Sequence, residues 1–236
     1  MCGRFILVDV TDLGLRFRVQ VTGETAPVPR FNIAPTQSIW TITNEDGTRR
    51  AEEMRWGLIP AWAKSANQIR SSFNARDDKV ATSGLWKRLL ARTRCLIPAS
   101  GFYEWTGSKG DRKPQLIRLK GGGLLGFAGI FDTWQNKETG ETVRSCAIIT
   151  TGPNSLMEPI HDRMPVILDA EAEALWLDPA TEDPNRLTAL LQPYPAEEME
   201  AYPVSTAVNS SRGDSPEMME RVDDVEEPRQ AGFPID

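Results

Sequence analysis

Short runs of β-branched and aromatic residues, separated by turn sequences, limit the fold of this chain more than any other feature. The strand-like runs are RFILV, SIWTIT, RRAEEMRWGLIP, RCLIPASGFYEW, PQLIRLK, LLGFAGIFDTW, TVRSCAIITT and PVIL. Helical patterns occur at residues 11–19, 79–93, 169–177 and 186–192. Strands and helices do not alternate as βαβ units would require. We therefore expect an α+β fold, a single β-rich domain with a curved mixed or antiparallel sheet and peripheral helices.

Two segments and the C-terminal end show no sustained hydrophobic periodicity. TAPVPRFNIAPTQ, residues 25–37, is rich in proline and polar residues, and AWAKSANQIRSSFNARDD covers residues 61–78, so we predict loops in both. The last residues are acidic and poor in apolar side chains. We expect one domain over residues 2–217 and a loosely ordered tail over residues 218–236.

Composition excludes several classes of protein. No run approaches the roughly 18 apolar residues of a membrane span, and no basic start followed by an apolar stretch marks a signal peptide. The chain has 3 cysteines without a CxxC pair and 1 histidine. This usage argues against a disulfide framework and a structural zinc site. We expect a cytoplasmic monomer with no membrane partner, no metal and no cofactor.

Charge is distributed unevenly, although the net charge is −6. Residues 49–118 hold 15 Lys and Arg against 6 Asp and Glu, a balance of 15 − 6 = +9, whereas residues 169–236 hold 4 against 17, a balance of 4 − 17 = −13. A basic groove for nucleic acid would explain this asymmetry. Folding can also mix the two segments and average the surface field, and both interpretations remain open.

The chain opens MCGRF, so removal of Met1 would give Cys2 a free amine beside its thiol. An α-amine has a pKa of about 7.7–8.0, against about 10.4 for lysine, so much more of it is neutral near pH 7. That amine can form an imine with an aldehyde, and the neighbouring thiol can close onto the imine carbon as a thiazolidine. The terminus could instead attack an amide with its own amine as base, or have no chemical role.

Other residues of the sequence have side chains that could act in catalysis or in binding. Glu104 lies among the aromatics of GFYEW, where a raised pKa would suit general acid catalysis, although a salt bridge is the alternative. His161, in PIHDRMP, could be an acid–base group or a structural hydrogen-bonding residue. Asn74 and Arg76, in NAR, could bind phosphate or carboxylate, or Arg76 could simply lie at the surface. Trp62 could stack on bases or belong to the core.

In combination and in this order, the motifs resemble one family. MCGRF, NIAPTQ, RWGLIPAWAK, NAR, RCLIPASGFYEW, AGIFDTW, AIITTGPN and IHDRMPVIL look like those of the SRAP family, the abasic-site processing proteins once named SOS-response-associated peptidases. The match extends from Cys2 to about residue 217.

The resemblance implies a β-rich α+β fold with a positively charged cleft for single-stranded DNA that contains abasic sites. It implies Schiff-base, lyase-type chemistry in which Cys2, after loss of Met1, captures the ring-opened sugar as a thiazolidine and shields the lesion from strand cleavage. It also implies a possible peptidase activity on the Met1–Cys2 bond. A cytoplasmic protein of this kind would associate with the nucleoid when bound to damaged DNA.

The resemblance also assigns roles to individual residues. It implies that Cys2, Glu104 and His161 are catalytic, with Glu104 assisting ring opening and proton transfer at Cys2. His161 would be an acid–base group near the deoxyribose oxygen and would help to reverse the crosslink. Asn74 would belong to the catalytic set and, with Arg76, would hold the phosphates that flank the lesion.

A second group of residues would guide the DNA strand. The resemblance implies that Arg4 and Trp62 line the DNA path and that Pro35 is a wedge where bases unstack. Some relatives carry two adjacent aromatics after the P-x-W sequence, whereas this chain has Ala63 at the second position. One stacking surface is therefore expected to be missing.

Three other functions fit part of the pattern. A glutamine amidotransferase domain also begins Met-Cys-Gly, but it would be expected to carry NGE and RG-PD-like segments, which this chain lacks. A peptidase would use Cys2, His161 and Glu104 on peptide bonds. A non-enzymatic single-strand binder would use the basic middle segment alone and would bind without Cys2.

Overall fold

The structure is a computed structural model that describes residues 2–21, 26–66, 72–108 and 111–222. Its strands are β1 (Phe5–Leu7), β2 (Gln20–Val21), β3 (Arg30–Ile33), β4 (Ser38–Asn44), β5 (Arg49–Trp56), β6 (Asn74–Arg76), β7 (Arg94–Ala99), β8 (Gly101–Thr106), β9 (Lys113–Leu119), β10 (Leu125–Gln135), β11 (Thr142–Thr151), β12 (Met164–Pro165), β13 (Ile167–Leu168) and β14 (Met199–Pro203). Its α-helices are α1 (Leu13–Phe17), α2 (Asp77–Val80), α3 (Lys87–Arg92), α4 (Ala170–Leu177) and α5 (Pro184–Ala189). Short 3-10 helices cover Val10–Asp12, Ala196–Glu198, Thr206–Asn209 and Pro216–Met219.

The strands form two sheets. The first sheet has the order β14-β9-β8-β1-β3 and is antiparallel throughout. The second sheet has the order β12-β11-β10-β7-β4-β5-β2, with β13 on β10 and β6 on β11. Because β5 also pairs in parallel with β11, the strands β11, β10, β7, β4 and β5 close into a ring. The α+β class and the β-rich, curved mixed sheet expected from the sequence are confirmed.

The run RCLIPASGFYEW, predicted as one strand, is divided between the two sheets. Its first half is β7 of the second sheet and its second half is β8 of the first, with Ser100 at the junction. Ser100 Oγ accepts hydrogen bonds from the backbone N–H groups of Val8 at 3.0 Å and Asp9 at 3.2 Å, and its own N–H donates to the Ile6 carbonyl at 2.8 Å. These bonds fix the corner at which the chain passes from one sheet to the other.

The two predicted loops each contain a short strand, so that part of the prediction is wrong. β3 pairs with β1, and β6 pairs in parallel with β11. Strands of three or four residues are too short to show an alternating pattern, and their partners decide their conformation. The helix expected over residues 79–93 is likewise reduced to the short helices α2 and α3, and residues 67–71 lie outside the described ranges.

The core fills the ring and the space between the sheets. Phe5 makes edge-on ring contacts with Trp56 and Phe127 at centroid distances of 5.2 and 6.1 Å, and Phe102 meets Phe127 at 6.0 Å. The alternate residues of β1 and β8 pack on the other face of the first sheet, where a smaller cluster includes Tyr103. Both faces of β1 and β8 are therefore buried, and packing on both sides restricts the movement of the strand ends.

The end of the described chain covers the outer face of the first sheet. Asn32 is buried, and its side-chain amide donates to the carbonyls of Ser210 at 2.8 Å and Gly213 at 2.7 Å. Met218 is also buried, and its carbonyl accepts a hydrogen bond from the Tyr103 hydroxyl at 3.3 Å. Residues 223–236, most of the predicted tail, lie outside the described residues.

Within the described ranges, no helix combines the length and the apolar character needed to cross a bilayer.

We predict that Gly126→Ala destabilises the fold by about 1–3 kcal/mol, because the new methyl group would overlap the carboxylate of Glu173. That carboxylate is buried and is held by both terminal nitrogens of Arg16 at 2.8 Å, so it cannot move aside without breaking the pair. Urea unfolding measures the effect. Gly84→Ala is the matched control, because a methyl group there meets nothing within 4 Å. Equal unfolding midpoints for the two variants would contradict the argument.

Candidate functional site

Cys2 lies at the entrance to β1, where the first sheet brings it beside β8. Phe5 is opposite Phe102 and the Tyr103 N–H donates to the Arg4 carbonyl at 2.9 Å, so the next residue, Glu104, comes alongside Gly3 and Cys2. The Cys2 side chain is fully buried. Burial, reinforced by the neighbouring Glu104 carboxylate, raises the pKa of the Cys2 thiol far above its usual value. The thiol therefore keeps its proton near neutral pH.

Glu104 is a buried carboxyl group on β8, at 3% exposure. Burial raises its pKa, and attraction to His161 acts in the opposite direction. The interaction shows that Glu104 and His161 lie within electrostatic range of each other. A carboxyl group with a raised pKa can deliver a proton at a pH where an ordinary glutamate is ionised.

Asn74 joins the second sheet to Cys2. It lies on β6 opposite Ile148 of β11, and its Nδ2 donates to the Cys2 carbonyl at 2.7 Å. Its Oδ1 is buried and accepts no hydrogen bond from any residue that the structure describes. The amide thus fixes the backbone of Cys2 and keeps one acceptor directed into buried space.

Arg76, two residues further along β6, is exposed and forms a two-pronged pair with Asp78. Its Nε lies 2.9 Å from Oδ1 and its Nη2 3.2 Å from Oδ2. The hydrogen bond that Arg76 donates to Asp78 raises the pKa of Arg76, and the charge of Asp162 contributes in the same direction, which places Arg76 near the turn of His161. An exposed ion pair contributes little to stability, so a phosphate can replace Asp78 at little cost.

His161 follows the turn of residues 155–160 and is half-buried. The backbone N–H of Arg163 lies 3.0 Å from His161 Nδ1, and Oδ1 of Asp162 lies 3.0 Å from the same nitrogen. Nδ1 cannot accept the first hydrogen bond and donate the second at once. We assign the Arg163 contact to the neutral ring, because Asp162 is exposed and water competes for it, so neutral His161 carries its proton on Nε2.

Trp62 lies on a loop whose backbone is held by hydrogen bonds to side chains of β10. Its side chain is 62% exposed, whereas the loop backbone is held where Ala61 N–H donates to Asp132 Oδ2 at 2.9 Å and the Trp134 indole donates to the Ala63 carbonyl at 2.7 Å. A cavity of about 580 Å³ adjoins it. Ala63 is buried, so this position offers no second exposed ring surface. Trp62 is therefore an exposed ring on a loop whose backbone is held on both sides of it.

Pro35 is half-buried and precedes a strained residue. Thr36 has a φ of 79°, in the left-handed region that β-branched residues avoid, and its N–H donates to the Trp56 carbonyl at 2.7 Å. Such strain costs on the order of 1–3 kcal/mol and persists where the surroundings enforce it. The loop thus holds Pro35 in one position.

Arg4 is half-buried, and its hydrogen bonds are made within the protein. Its Nη1 donates to Asn32 Oδ1 and to the Val208 carbonyl, both at 2.6 Å, and its guanidinium carbon lies 5.9 Å from the Trp105 ring centroid. Burial lowers its pKa. Arg4 therefore ties the start of β1 to the segment that covers the first sheet.

The structure brings Cys2, Asn74, Glu104 and His161 together, with Arg76 on the strand of Asn74. The sequence did not single out Asp77 or the side chain of Arg163, which form an ion pair beside this group, with Arg163 buried and Asp77 half-buried. The position of Arg163 next to His161 was the available signal.

Folding reduces the charge asymmetry of the sequence in part. Arg94 is buried, Arg88 pairs with Asp132 at 2.9 Å, and Arg118 pairs with Glu200 of the acidic C-terminal third at 2.8 Å. In the part of the chain that the structure describes, no group of three or more His, Cys, Asp or Glu could hold a metal ion.

Comparisons with known proteins agree on one family. The profile of the SOS response associated peptidase (SRAP) family matches residues 1–211. The abasic site processing protein YoqW of Bacillus subtilis is 45% identical over 223 residues, covering 93% of this chain and 99% of the relative. The abasic site processing protein HMCES of Xenopus tropicalis is 37% identical over 188 residues, covering 70% and 56%. A crystal structure of a Bacteroides thetaiotaomicron protein has a TM-score of 0.84 at 27% identity, covering 94% of this chain and all of that one.

We predict that Glu104→Gln stabilises the fold relative to wild type and that the gain grows as pH rises. Because the pKa of folded Glu104 is raised, its stability contribution is complete below the ordinary value of 4.5 and is lost as pH rises through the folded value. Urea unfolding at about pH 4 and about pH 7 measures the difference. The exposed Glu197→Gln is the control for loss of one carboxylate. A difference between Glu104→Gln and wild type that stays constant with pH would refute the sign.

Proposed function

This chain belongs to the SOS response associated peptidase family, and we propose that it captures abasic sites in single-stranded DNA as a covalent thiazolidine on Cys2 after Met1 is removed. The observation that carries the proposal is the burial of Cys2 beside Glu104, with Asn74 holding its carbonyl at 2.7 Å. The names of the relatives, abasic site processing proteins, support the substrate class. The proposed reaction takes place in the cytoplasm and needs one copy of the chain.

The first steps open the sugar and form the imine. Protonated Glu104 assists opening of the abasic deoxyribose, whose ring form becomes a free aldehyde. The neutral amine of Cys2 adds to the aldehyde carbon, and one water leaves as the imine forms. The raised pKa of Glu104 keeps a proton available for this step, and the buried Oδ1 of Asn74 can accept from the amine.

The last step closes the ring. The Cys2 sulfur bonds to the imine carbon, the thiol proton goes to the nitrogen, and the balance is one thiazolidine and one water per aldehyde. A thiol of raised pKa brings its own proton to this step. Ring closure removes the iminium that would drive β-elimination and strand breakage, so the product protects the strand. In the proposal, His161 exchanges protons at the deoxyribose oxygen and assists reversal.

The surrounding residues are proposed to hold the strand. Arg76 exchanges Asp78 for a phosphate next to the lesion, supported by Asn74. Trp62 stacks on a base, and Pro35 separates bases where the strand bends. Arg4 lines the path of the strand while its Nη1 remains bonded to Asn32.

Other activities predict different results. A glutamine amidotransferase would hydrolyse glutamine, and a non-covalent binder would keep its full function without Cys2. A general peptidase needs a thiolate, and the raised pKa of the Cys2 thiol opposes one. The remaining peptidase activity that we propose is confined to the Met1–Cys2 bond, which an aminopeptidase can also cleave.

We predict that Cys2→Ala abolishes the covalent product with a uracil-excised oligonucleotide and retains non-covalent binding. Cys2→Ser should give at most a weaker, more labile adduct, because a hydroxyl closes onto an imine less readily than a thiol. Denaturing gels and intact mass measure the adduct together with loss of Met1. Cys95→Ala, which removes another buried thiol, is the control and should crosslink as wild type does. A crosslink retained by Cys2→Ala would refute the proposal.

We predict that Arg76→Ala weakens single-strand binding and reduces the salt dependence of the affinity by about 0.7 in log–log slope, the value for one phosphate contact on a single strand. Binding is measured by fluorescence anisotropy over a range of salt concentrations, with Cys2→Ala as background to prevent crosslinking. Arg50→Ala, which removes an exposed arginine paired with Asp46, is the matched control. An unchanged slope in Arg76→Ala would mean that Arg76 does not touch phosphate.

A further inference from the structure

Arg163 is a buried cation, 7% exposed, two residues after His161. Its Nη2 donates to Asp77 Oδ1 at 2.7 Å, to the Thr150 carbonyl and to Thr150 Oγ1 at 3.2 Å. A charge at this depth requires such partners, because an unpaired buried ion is very costly. The side chain is therefore fixed against β11 and the start of α2.

Asp77 connects the fixed side chain of Arg163 to β6, the strand that carries Arg76, which is proposed to bind phosphate. It directly follows Arg76 at the end of β6, and its second oxygen, Oδ2, accepts a hydrogen bond from Thr151 Oγ1 at 2.8 Å. The pair with Arg163 thus holds the last residue of β6 in its register with Thr150.

The backbone of Arg163, unlike its side chain, contacts His161. Its N–H lies 3.0 Å from His161 Nδ1 and leaves Nε2 as the protonated nitrogen of the neutral ring. The charged groups that interact with the ring are Asp162 on the same turn and Glu104 on β8. One residue is therefore in contact both with His161 and with the end of β6.

We propose that Arg163 is a positioning residue for the abasic-site reaction, which sets the ring of His161 against the Asn74–Arg76 strand without touching DNA. The inference rests on the proposed function. Stability alone does not explain the residue, because its Nε is buried with no acceptor within the described ranges, and such a donor costs free energy.

The matched control is another arginine–carboxylate pair with one buried member, Arg16 and Glu173, in which the carboxylate is the buried partner and which joins α1 to α4. Arg16→Gln and Arg163→Gln should both lower the melting temperature. Only Arg163→Gln should slow crosslinking, because a small displacement of a reacting group costs about tenfold to a hundredfold in rate. Arg163→Lys, which keeps the charge beside Asp77, should recover most of the rate.

Single-turnover crosslinking to a uracil-excised oligonucleotide, measured across pH with protein in excess, gives the rate constant, the half-saturating concentration and the pH profile. We expect Arg163→Gln to lower the rate constant and shift the profile, with the salt dependence of binding unchanged. Equal rates in Arg163→Gln and Arg16→Gln would overturn the proposal. A changed salt slope with an unchanged pH profile would also overturn it, since Arg163 would then contact phosphate.

A second measurement separates this proposal from the proposed function. The chain has 1 histidine, so a tag-free, 15N-histidine-labelled sample gives a single pair of imidazole nitrogen signals. We expect the Nε2–H tautomer in wild type and a tautomer mixture in Arg163→Gln, with or without DNA. The same tautomer in both proteins would overturn the positioning role. If wild type fails to crosslink while the tautomer shifts as expected, the proposed function fails and the positioning of His161 stands.

Discussion

The hydrogen bond from the Asn74 amide to the Cys2 carbonyl, at 2.7 Å, is the contact on which the arrangement of the site depends. Cys2 and Glu104 come from the first sheet, whereas Asn74 and Arg76 come from a short strand of the second. The two sheets also meet through core rings such as Phe5 against Trp56, but those contacts lie away from the backbone of Cys2. The bond from Asn74 therefore ties Cys2 itself to the second sheet.

Burial then sets the protonation states within that site. It raises the pKa of both the Cys2 thiol and the Glu104 carboxyl group, and the charge of Glu104 raises the pKa of the thiol further. A site for attack on peptides by a thiolate would need the opposite shift. The proposed thiazolidine route passes the thiol proton to the nitrogen as the ring closes, so it does not depend on a thiolate at rest.

The sequence predicted the fold class because repeated β-branched runs and the lack of βαβ alternation are properties of whole segments. Motifs whose order resembles one family also named residues that the structure brings together, Cys2, Asn74, Glu104 and His161. The sequence did not predict that RCLIPASGFYEW divides between two sheets, since the reason is the pair of hydrogen bonds from the N–H groups of Val8 and Asp9 to Ser100 Oγ, which are long-range contacts. The strands β3 and β6 were missed for the same reason, because their conformation depends on partners far along the chain. The Arg163–Asp77 pair was hidden because 86 positions of sequence separate its members.

The burial of Cys2 has a consequence for the chain while it is being synthesised. The groups that enclose Cys2 lie far along the chain, Asn74 at its carbonyl and Glu104 beside its thiol, and both leave the ribosome long after Cys2 does. In the proposed maturation, removal of Met1 would therefore act on an unfolded segment, before these groups close around Cys2. The order of translation would thus separate exposure of the amine from enclosure of the residue that carries it.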